Sequence, residues 1–250
     1  MASVPLSRRT AVLTFLGSLL ALASRAAEAG WSAVKGNGVN RTEARNVPDF
    51  TGIAMSVPGH LEVRLGAAES VTVESDENLL PLIETMVSRG TLHIRTARGQ
   101  DIDPQVLRIV VQARQLDSLS LGGSGSISGD GLRAASLKVD LGGSGSVSLQ
   151  QADFNELSIS VGGSGSVNLG GRATTLKVSV AGSGSVAAAS LQADEARVSI
   201  AGSGLATVSA RSSLRVSIAG SGSVRYQGDP KLERSIAGSG DVQRIGPLPS

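Results

Sequence analysis

The chain has 250 residues, enough for one or two domains, and it contains no cysteine. Disulfides, thiolate metal sites and lipid attachment through an N-terminal cysteine are therefore excluded. Aromatic residues make up only 2% of the composition, so the core must be thin and built from aliphatic side chains. The formal net charge is +2, and residues 1–29 carry all of it. The rest of the chain is neutral, which removes the main support for a nucleic-acid partner.

Residues 1–29 have the pattern of a cleavable export signal. The pair Arg8-Arg9 precedes an apolar stretch over residues 11–23, which is too short to span a membrane as a helix. Small residues surround a predicted cleavage after Ala29, so we expect the exported protein to begin at Gly30 and to contain no membrane span. The arginine pair resembles a twin-arginine signal, and the general secretory route stays open. Both routes predict a periplasmic or extracellular protein.

The remaining chain divides into a leader, one domain and a tail. Residues 30–44 are polar and contain glycine, which predicts a flexible leader, and residues 246–250 form a proline-containing tail. Between them, residues 45–245 are predicted to be a single β-solenoid. Its first part, residues 45–115, alternates apolar and polar residues without a common repeat, as the terminal cap of a solenoid does. The last alternating segment of this part, residues 107–111, is expected to open the regular coils of residues 116–245.

The coil region is defined by the tripeptide Gly-Ser-Gly, which occurs seven times at steps of 20, 20, 19, 20, 18 and 18 residues. A period near 20 residues that tolerates small changes in length is typical of stacked coils of chain. The copies begin at Gly123, Gly143, Gly163, Gly182, Gly202, Gly220 and Gly238.

Alternating stretches flank each Gly-Ser-Gly, such as residues 176–180 before it and residues 166–169 after it. Period-two alternation with β-branched residues predicts half-buried strands, and the glycines between them suit a tight corner. Each strand would pair with its equivalent one coil away. The sequence therefore predicts an all-β fold, a single-stranded parallel β-helix or β-solenoid with coils of about 20 residues and an irregular N-terminal β cap.

The alternation also predicts which side chains face inward and which face outward. One interior column should contain Val139, Ile159, Val178, Val198 and Val216. The residue before each of these points outward, and in three consecutive coils it is Lys177, Arg197 or Arg215. A row of serines runs beside them. This stripe is interpreted either as a solvated face that keeps the sheet from aggregating or as a cationic surface for an anionic polymer.

Several segments in a fixed order resemble the auto-transporter adhesin head domain, also called the head GIN domain. They are residues 50–53, residues 77–81, the repeated Gly-Ser-Gly-Ser-Val and residues 226–230. The resemblance covers residues 45–245. It implies an exported bacterial β-helix-like protein with an adhesive role, and it supplies no catalytic residues.

The residues themselves point to no catalytic or metal site, and we expect no cofactor. His60 and His93 are too few to hold a metal without cysteine, and no serine lies in a nucleophile elbow. A polysaccharide lyase or hydrolase would need clustered carboxylates on one face. The acidic residues of the repeats are expected at different positions of the coil. They are Asp140, Asp153, Glu156, Asp194 and Glu195.

The sequence thus favours an exported, non-catalytic β-solenoid that acts as an adhesin or as a binding scaffold of the cell envelope. Its expected partner is a cell-surface glycan or another anionic polymer. Two alternatives stay open, namely a polysaccharide-acting β-helix enzyme and a purely structural envelope protein. No feature of the sequence indicates which oligomeric state the protein adopts.

Overall fold

The structure is a computed structural model that describes residues 33–248. The predicted export signal, its cleavage after Ala29 and the new N-terminus at Gly30 lie outside the described residues. Residues 33–248 form strands, apart from turns and one short 3₁₀ helix at Leu80–Leu82. No helix in this range is both long enough and apolar enough to cross a membrane.

The strands are numbered in chain order, and the first nine precede the repeats. They are β1 (Val34–Lys35), β2 (Asn40–Arg45), β3 (Gly52–Met55), β4 (His60–Leu65), β5 (Ser70–Asp76), β6 (Ile83–Ser88), β7 (Thr91–Thr96), β8 (Ile102–Asp103) and β9 (Leu107–Ala113). The repeat strands are β10 (Ser118–Gly123), β11 (Ser126–Asp130), β12 (Arg133–Gly143), β13 (Ser146–Gly163), β14 (Ser166–Gly182), β15 (Ser185–Gly202), β16 (Leu205–Gly220), β17 (Ser223–Gln227), β18 (Lys231–Gly238) and β19 (Asp241–Gly246).

The repeat strands stack in parallel, and each pairs with the strand one coil away, which confirms the predicted parallel β-solenoid. Strands β13 to β16 each follow the chain around most of a coil and are interrupted only near the Gly-Ser-Gly corner. The polar segment that returns the chain to the next coil is also paired, as the partners Asp153 and Arg172 illustrate. Almost the whole coil is therefore one hydrogen-bonded ribbon.

The predicted interior column is confirmed. Val139 pairs with Ile159, Ile159 with Val178, Val178 with Val198, and Val198 with Val216. All five side chains are at most 3% exposed. The narrow coil is filled by branched aliphatic side chains because successive residues of a strand point to opposite faces.

Differences in coil length are absorbed away from the Gly-Ser-Gly corner. The first glycine of each corner stays in register with its equivalent, as Gly163 does with Gly143 and Gly182. Register shifts occur instead on the opposite side of the coil, for example between Ala188 and Gln192. Bulges of this kind let one strand carry extra residues while pairing resumes beyond them.

The N-terminal cap does not follow chain order in space. Strands β3 and β4 form the first coil, with β10 and β11 stacked on one side of it. Strands β7 and β9 stack on the other side, also in parallel. The prediction that residues 107–111 open the regular coils is therefore wrong, because β9 lies beyond β4 and is separated from the repeats by it. Antiparallel pairing with β5 and β6 completes the irregular β cap.

Residues 34–44, which the sequence predicted to be part of a flexible leader, are held against this cap by strand pairing. Strand β2 pairs antiparallel with β5, and β1 pairs parallel with β8. The buried carboxylate of Asp76 accepts hydrogen bonds from the backbone N–H of Gly38 at 2.7 Å and of Gln105 at 2.9 Å. Burial acts to raise the pKa of Asp76, but hydrogen bonds from backbone N–H groups outweigh it, so the pKa lies below its ordinary value.

At the other end, β18 and β19 are the last strands of the stack. Arg234 continues the interior column after Val216, and Arg244 follows Tyr226 in the same way. Both arginines are exposed, and Ile236 beside them is 38% exposed. The final coil is thus open to solvent, with cations in positions that are apolar in earlier coils.

Candidate binding surface

The predicted cationic stripe lies on one outward face of the coils. Lys177 pairs with Arg197 and Arg197 with Arg215, so the three side chains leave the sheet from equivalent positions on consecutive coils. Adjacent strands of a sheet are about 4.8 Å apart. Lys138 lies two coils before Lys177, and Glu233 follows Arg215 on the last coil. The structure therefore brings the three predicted residues together, and it extends their column at both ends.

Two columns of small side chains run parallel to the stripe. The serine row predicted from the sequence is in register along its whole length, and beyond it lies a row of glycine and alanine. The serines are Ser160, Ser179, Ser199, Ser217 and Ser235, and the second row is Gly162, Ala181, Ala201, Ala219 and Ala237. With no large side chain in either row, this part of the face is flat.

On the other side of the stripe lies a column with two acidic residues. Glu156 pairs with Thr175 and Thr175 with Glu195, so the two glutamates occupy one column two coils apart. The prediction that the acidic residues of the repeats fall at different positions is wrong for this pair. Both glutamates lie seven residues before the first glycine of the next corner, Gly163 or Gly202, so counting back from Gly-Ser-Gly is the signal in the sequence that identifies the shared column.

Two cations of the predicted stripe are engaged with carboxylates. Lys177 Nζ lies 2.7 Å from Oε1 of Glu156, and Arg215 Nη2 lies 2.7 Å from Oε2 of Glu233. The hydrogen bond from Arg215, together with its positive charge, holds the pKa of Glu233 below its ordinary value. The negative charge beside Arg215 therefore persists to more acidic pH than that of an isolated glutamate.

Arg197 is different from its two neighbours. Its side chain is exposed, and within residues 33–248 it forms no ion pair and no side-chain hydrogen bond. In the sequence the three cations occupy equivalent positions, and no signal there distinguishes Arg197 from Lys177 and Arg215. The distinction arises because carboxylates of the coils before and after reach Lys177 and Arg215 instead.

A shallow depression of about 340 Å³ follows the stripe. Its polar lining consists of Thr175, Lys177, Glu195, Arg197, Ser213, Arg215, Lys231 and Glu233. Cations, carboxylates and hydroxyl groups thus alternate around one open concavity, which suits polar recognition of an extended ligand more than enclosure of a small molecule.

The two histidines lie away from this depression. His60, at the start of β4, forms hydrogen bonds through its two ring nitrogens with the hydroxyls of Ser126 and Ser128, at 2.9 and 3.0 Å. His93 lies on β7 in the cap. Among residues 33–248, no group of three histidine or carboxylate side chains is placed to hold a metal ion.

Stacked parallel coils of about 20 residues with an open polar face define a parallel β-solenoid. The chain belongs to the family described as "Putative auto-transporter adhesin, head GIN domain", whose model matches residues 49–230. This confirms the resemblance seen in the sequence. No match was found among curated protein sequences.

Crystal structures of three bacterial proteins share the fold. A putative adhesin from Bacteroides fragilis is 23% identical, with a TM-score of 0.81, and the match covers 85% of this chain and 100% of that one. A putative lipid-binding protein from Parabacteroides distasonis is 28% identical, with a TM-score of 0.74 and coverage of 86% and 100%. A putative adhesin from Parabacteroides merdae is 22% identical, with a TM-score of 0.64 and coverage of 85% and 99%. These relatives are described as adhesins or as lipid-binding, and not as enzymes.

Proposed function

We propose that this protein is an exported, non-catalytic β-solenoid that acts as an adhesin or envelope-binding scaffold. Its binding surface is the stripe of Lys177, Arg197 and Arg215, and its ligand is an anionic surface polymer or glycan. One observation carries the proposal: the three cations line a single depression together with hydroxyl side chains. Membership of an adhesin family supports a location outside the cytoplasm.

The geometry of the face favours an extended ligand. A polymer lying along the stack meets outward side chains at equivalent positions of every coil, at intervals of about 4.8 Å. The serine row offers hydroxyl groups that both donate and accept hydrogen bonds, as sugar hydroxyls do. Weak contacts repeated along one polymer add up, and this is how a surface without a deep pocket reaches useful affinity.

The export route is part of the same proposal. Cleavage after Ala29 would release a protein that begins at Gly30, in the periplasm or at the cell surface. Mass spectrometry of the exported protein tests this cleavage site directly.

The enzyme alternative has one observation in its favour, the shared column of Glu156 and Glu195. Two carboxylates on one face could in principle act on a glycosidic bond. However, Glu156 is bound to Lys177, and the face is an open concavity that does not exclude water. Any polymer that binds should therefore be checked for cleavage products. If the protein cleaves a polymer catalytically, it is an enzyme and the adhesin proposal is wrong.

The proposal is tested by a glycan and polymer screen with the protein from Gly30 onward. The triple variant K177S/R197S/R215S should bind more weakly, while its Tm stays close to that of the wild type because exposed charges contribute little to stability. Binding to the wild type should also weaken as salt is raised, since the contacts are ionic and exposed.

A matched control removes the same charge elsewhere. R98S/R172S/R225S replaces three exposed arginines outside the stripe and should bind like the wild type. If K177S/R197S/R215S also binds like the wild type, the stripe is only a solvated face. A screen with no binding at all would favour the purely structural role.

A further inference from the structure

We infer that Arg197 anchors the ligand and that the ligand is an acidic glycan of low charge density, in which carboxylated sugars are separated by neutral ones. This inference rests on the proposed function and specifies which residue and which class of glycan carry it.

The two cations that flank Arg197 are already engaged by carboxylates. Lys177 is bound by Glu156 from the preceding coil, and Arg215 is bound by Glu233 from the following coil. Both carboxylates lie on the far side of these cations from Arg197, one on each outer coil. An anionic group of a ligand would have to displace a carboxylate already in place at Lys177 or Arg215, but not at Arg197.

Arg197 lies between the serine row and the column that contains Glu195. Glu195 is on the same coil as Arg197, and Thr175 and Ser213 are on the coils before and after it. A guanidinium group binds a carboxylate through two parallel hydrogen bonds, which an ammonium group cannot do. The site thus combines one guanidinium group that no carboxylate of residues 33–248 occupies with hydroxyl groups suited to neutral sugars, while Glu195 repels a second anionic group beside it.

The total charge of the face is close to zero. Three columns contribute to it from β12 to β18, namely the stripe, the serine row and the column that contains Glu156 and Glu195. Their cations are Lys138, Lys177, Arg197, Arg215 and Lys231, and their carboxylates are Asp140, Glu156, Glu195 and Glu233. Five positive charges and four negative charges nearly cancel. A polymer with an acidic group on every sugar would place several of them beside these carboxylates, where like charges repel. A ligand with isolated carboxylates avoids that repulsion.

The first experiment compares two polymers and five proteins. Hyaluronan alternates carboxylated and neutral sugars, whereas polygalacturonate has a carboxylate on every sugar. We expect the wild type to bind hyaluronan more tightly than polygalacturonate. R197S should weaken hyaluronan binding about tenfold or more, the effect of losing one charged hydrogen-bonded contact. K177S and R215S should each have a much smaller effect, and R197K should restore part of the loss.

The second experiment removes the blocking carboxylates. In E156Q/E233Q, Lys177 and Arg215 lose their partners and two negative charges leave the face, so binding of polygalacturonate should rise severalfold. The control D194N/D229N removes two exposed carboxylates that pair with Arg211 and Arg244 outside the three columns. It should leave binding of both polymers unchanged.

The outcomes separate the inference from the proposed function. If the wild type binds glycans but prefers polygalacturonate, or if R197S binds as well as the wild type, the inference is wrong while the adhesin proposal stands. If E156Q/E233Q binds polygalacturonate no more tightly than the wild type does, the inference is likewise wrong while the adhesin proposal stands. If neither the wild type nor E156Q/E233Q binds any polymer of the full screen, the proposed function is wrong and the inference with it.

Discussion

At the scale of single residues, the corner glycines have a requirement that their neighbours do not share. Gly163 has a φ of +106°, and a Cβ atom placed there would lie 2.7 Å from the carbonyl oxygen of Gly143 on the preceding coil. Gly162, one residue earlier, is different: a Cβ atom there would have its nearest contact at 3.9 Å. Later coils carry alanine at this position, as Ala181 shows.

This difference gives a pair of matched substitutions. We expect Gly163→Ala to destabilise the protein by about 1–3 kcal/mol, because alanine is strained at positive φ and its methyl group meets backbone that cannot move aside. Gly162→Ala should be neutral or slightly stabilising, because it restricts the unfolded chain at no steric cost. Urea unfolding of both variants measures the difference. Equal stabilities would show that the corner adapts to a side chain.

At the scale of elements, the attachment of β1 and β2 depends on one carboxylate. Asp76, at the end of β5, receives the N–H groups of Gly38 and Gln105 and so joins the segment before β2 to the loop before β9. Asn78 adds a second link by donating from its side-chain amide to the carbonyl of Lys35. The N-terminal strands are thus held by polar side-chain contacts as well as by strand pairing.

We expect Asp76→Asn to loosen this attachment, because an amide nitrogen replaces one acceptor oxygen opposite a backbone N–H. Amide hydrogen exchange of residues 33–45 should accelerate and the Tm should fall. Asp103→Asn, an exposed neighbour on β8, is the control and should change neither.

The same carboxylate predicts a dependence on pH. Because the folded state lowers the pKa of Asp76, its contribution to stability is present above the ordinary aspartate pKa and is lost as pH falls through the folded value. Asp76→Asn should lack this acid-sensitive contribution, so the stability gap between variant and wild type should narrow at low pH. A gap that stays constant down to acid pH would contradict the assigned hydrogen bonds.

At the scale of the whole described chain, the two ends of the stack are protected in different ways. The N-terminal side ends in β6 and in β2. The residues of β2 are nearly all exposed and include Arg41 and Glu43. The C-terminal side ends in β18 and β19, where Arg234 and Arg244 occupy interior columns. Charges that point inward at a sheet edge oppose the addition of further strands.

We therefore expect R234V/R244V to promote association, because the last coil would then present an apolar interior and unpaired backbone groups to a second copy. Light scattering coupled to gel filtration should show a mass that rises with concentration, relative to the wild type. Arg225→Val, an exposed outward position on β17, is the control. If R234V/R244V keeps the mass of the wild type, the two arginines do not protect this end.

The sequence by itself determined the coil, its interior column and the alignment of Lys177, Arg197 and Arg215. All three follow from local regularities, since the side-chain period of a strand is two and the coil repeats every 18 to 20 residues. Where the repeat is regular, counting residues along the chain is equivalent to locating them in space. This holds from the Gly-Ser-Gly corner back through the strand that precedes it.

Only the tertiary structure decided the order of the cap, the pairing of residues 40–45 and the partners of the stripe. Alternation predicts a strand but not its neighbour, so it could not place β9 beyond β4 or show that β2 joins β5. The ion pair of Lys177 with Glu156 links adjacent coils across two columns. The register of the two residues follows from the repeat, but the ion pair itself depends on side-chain conformation, which no local pattern of residues encodes.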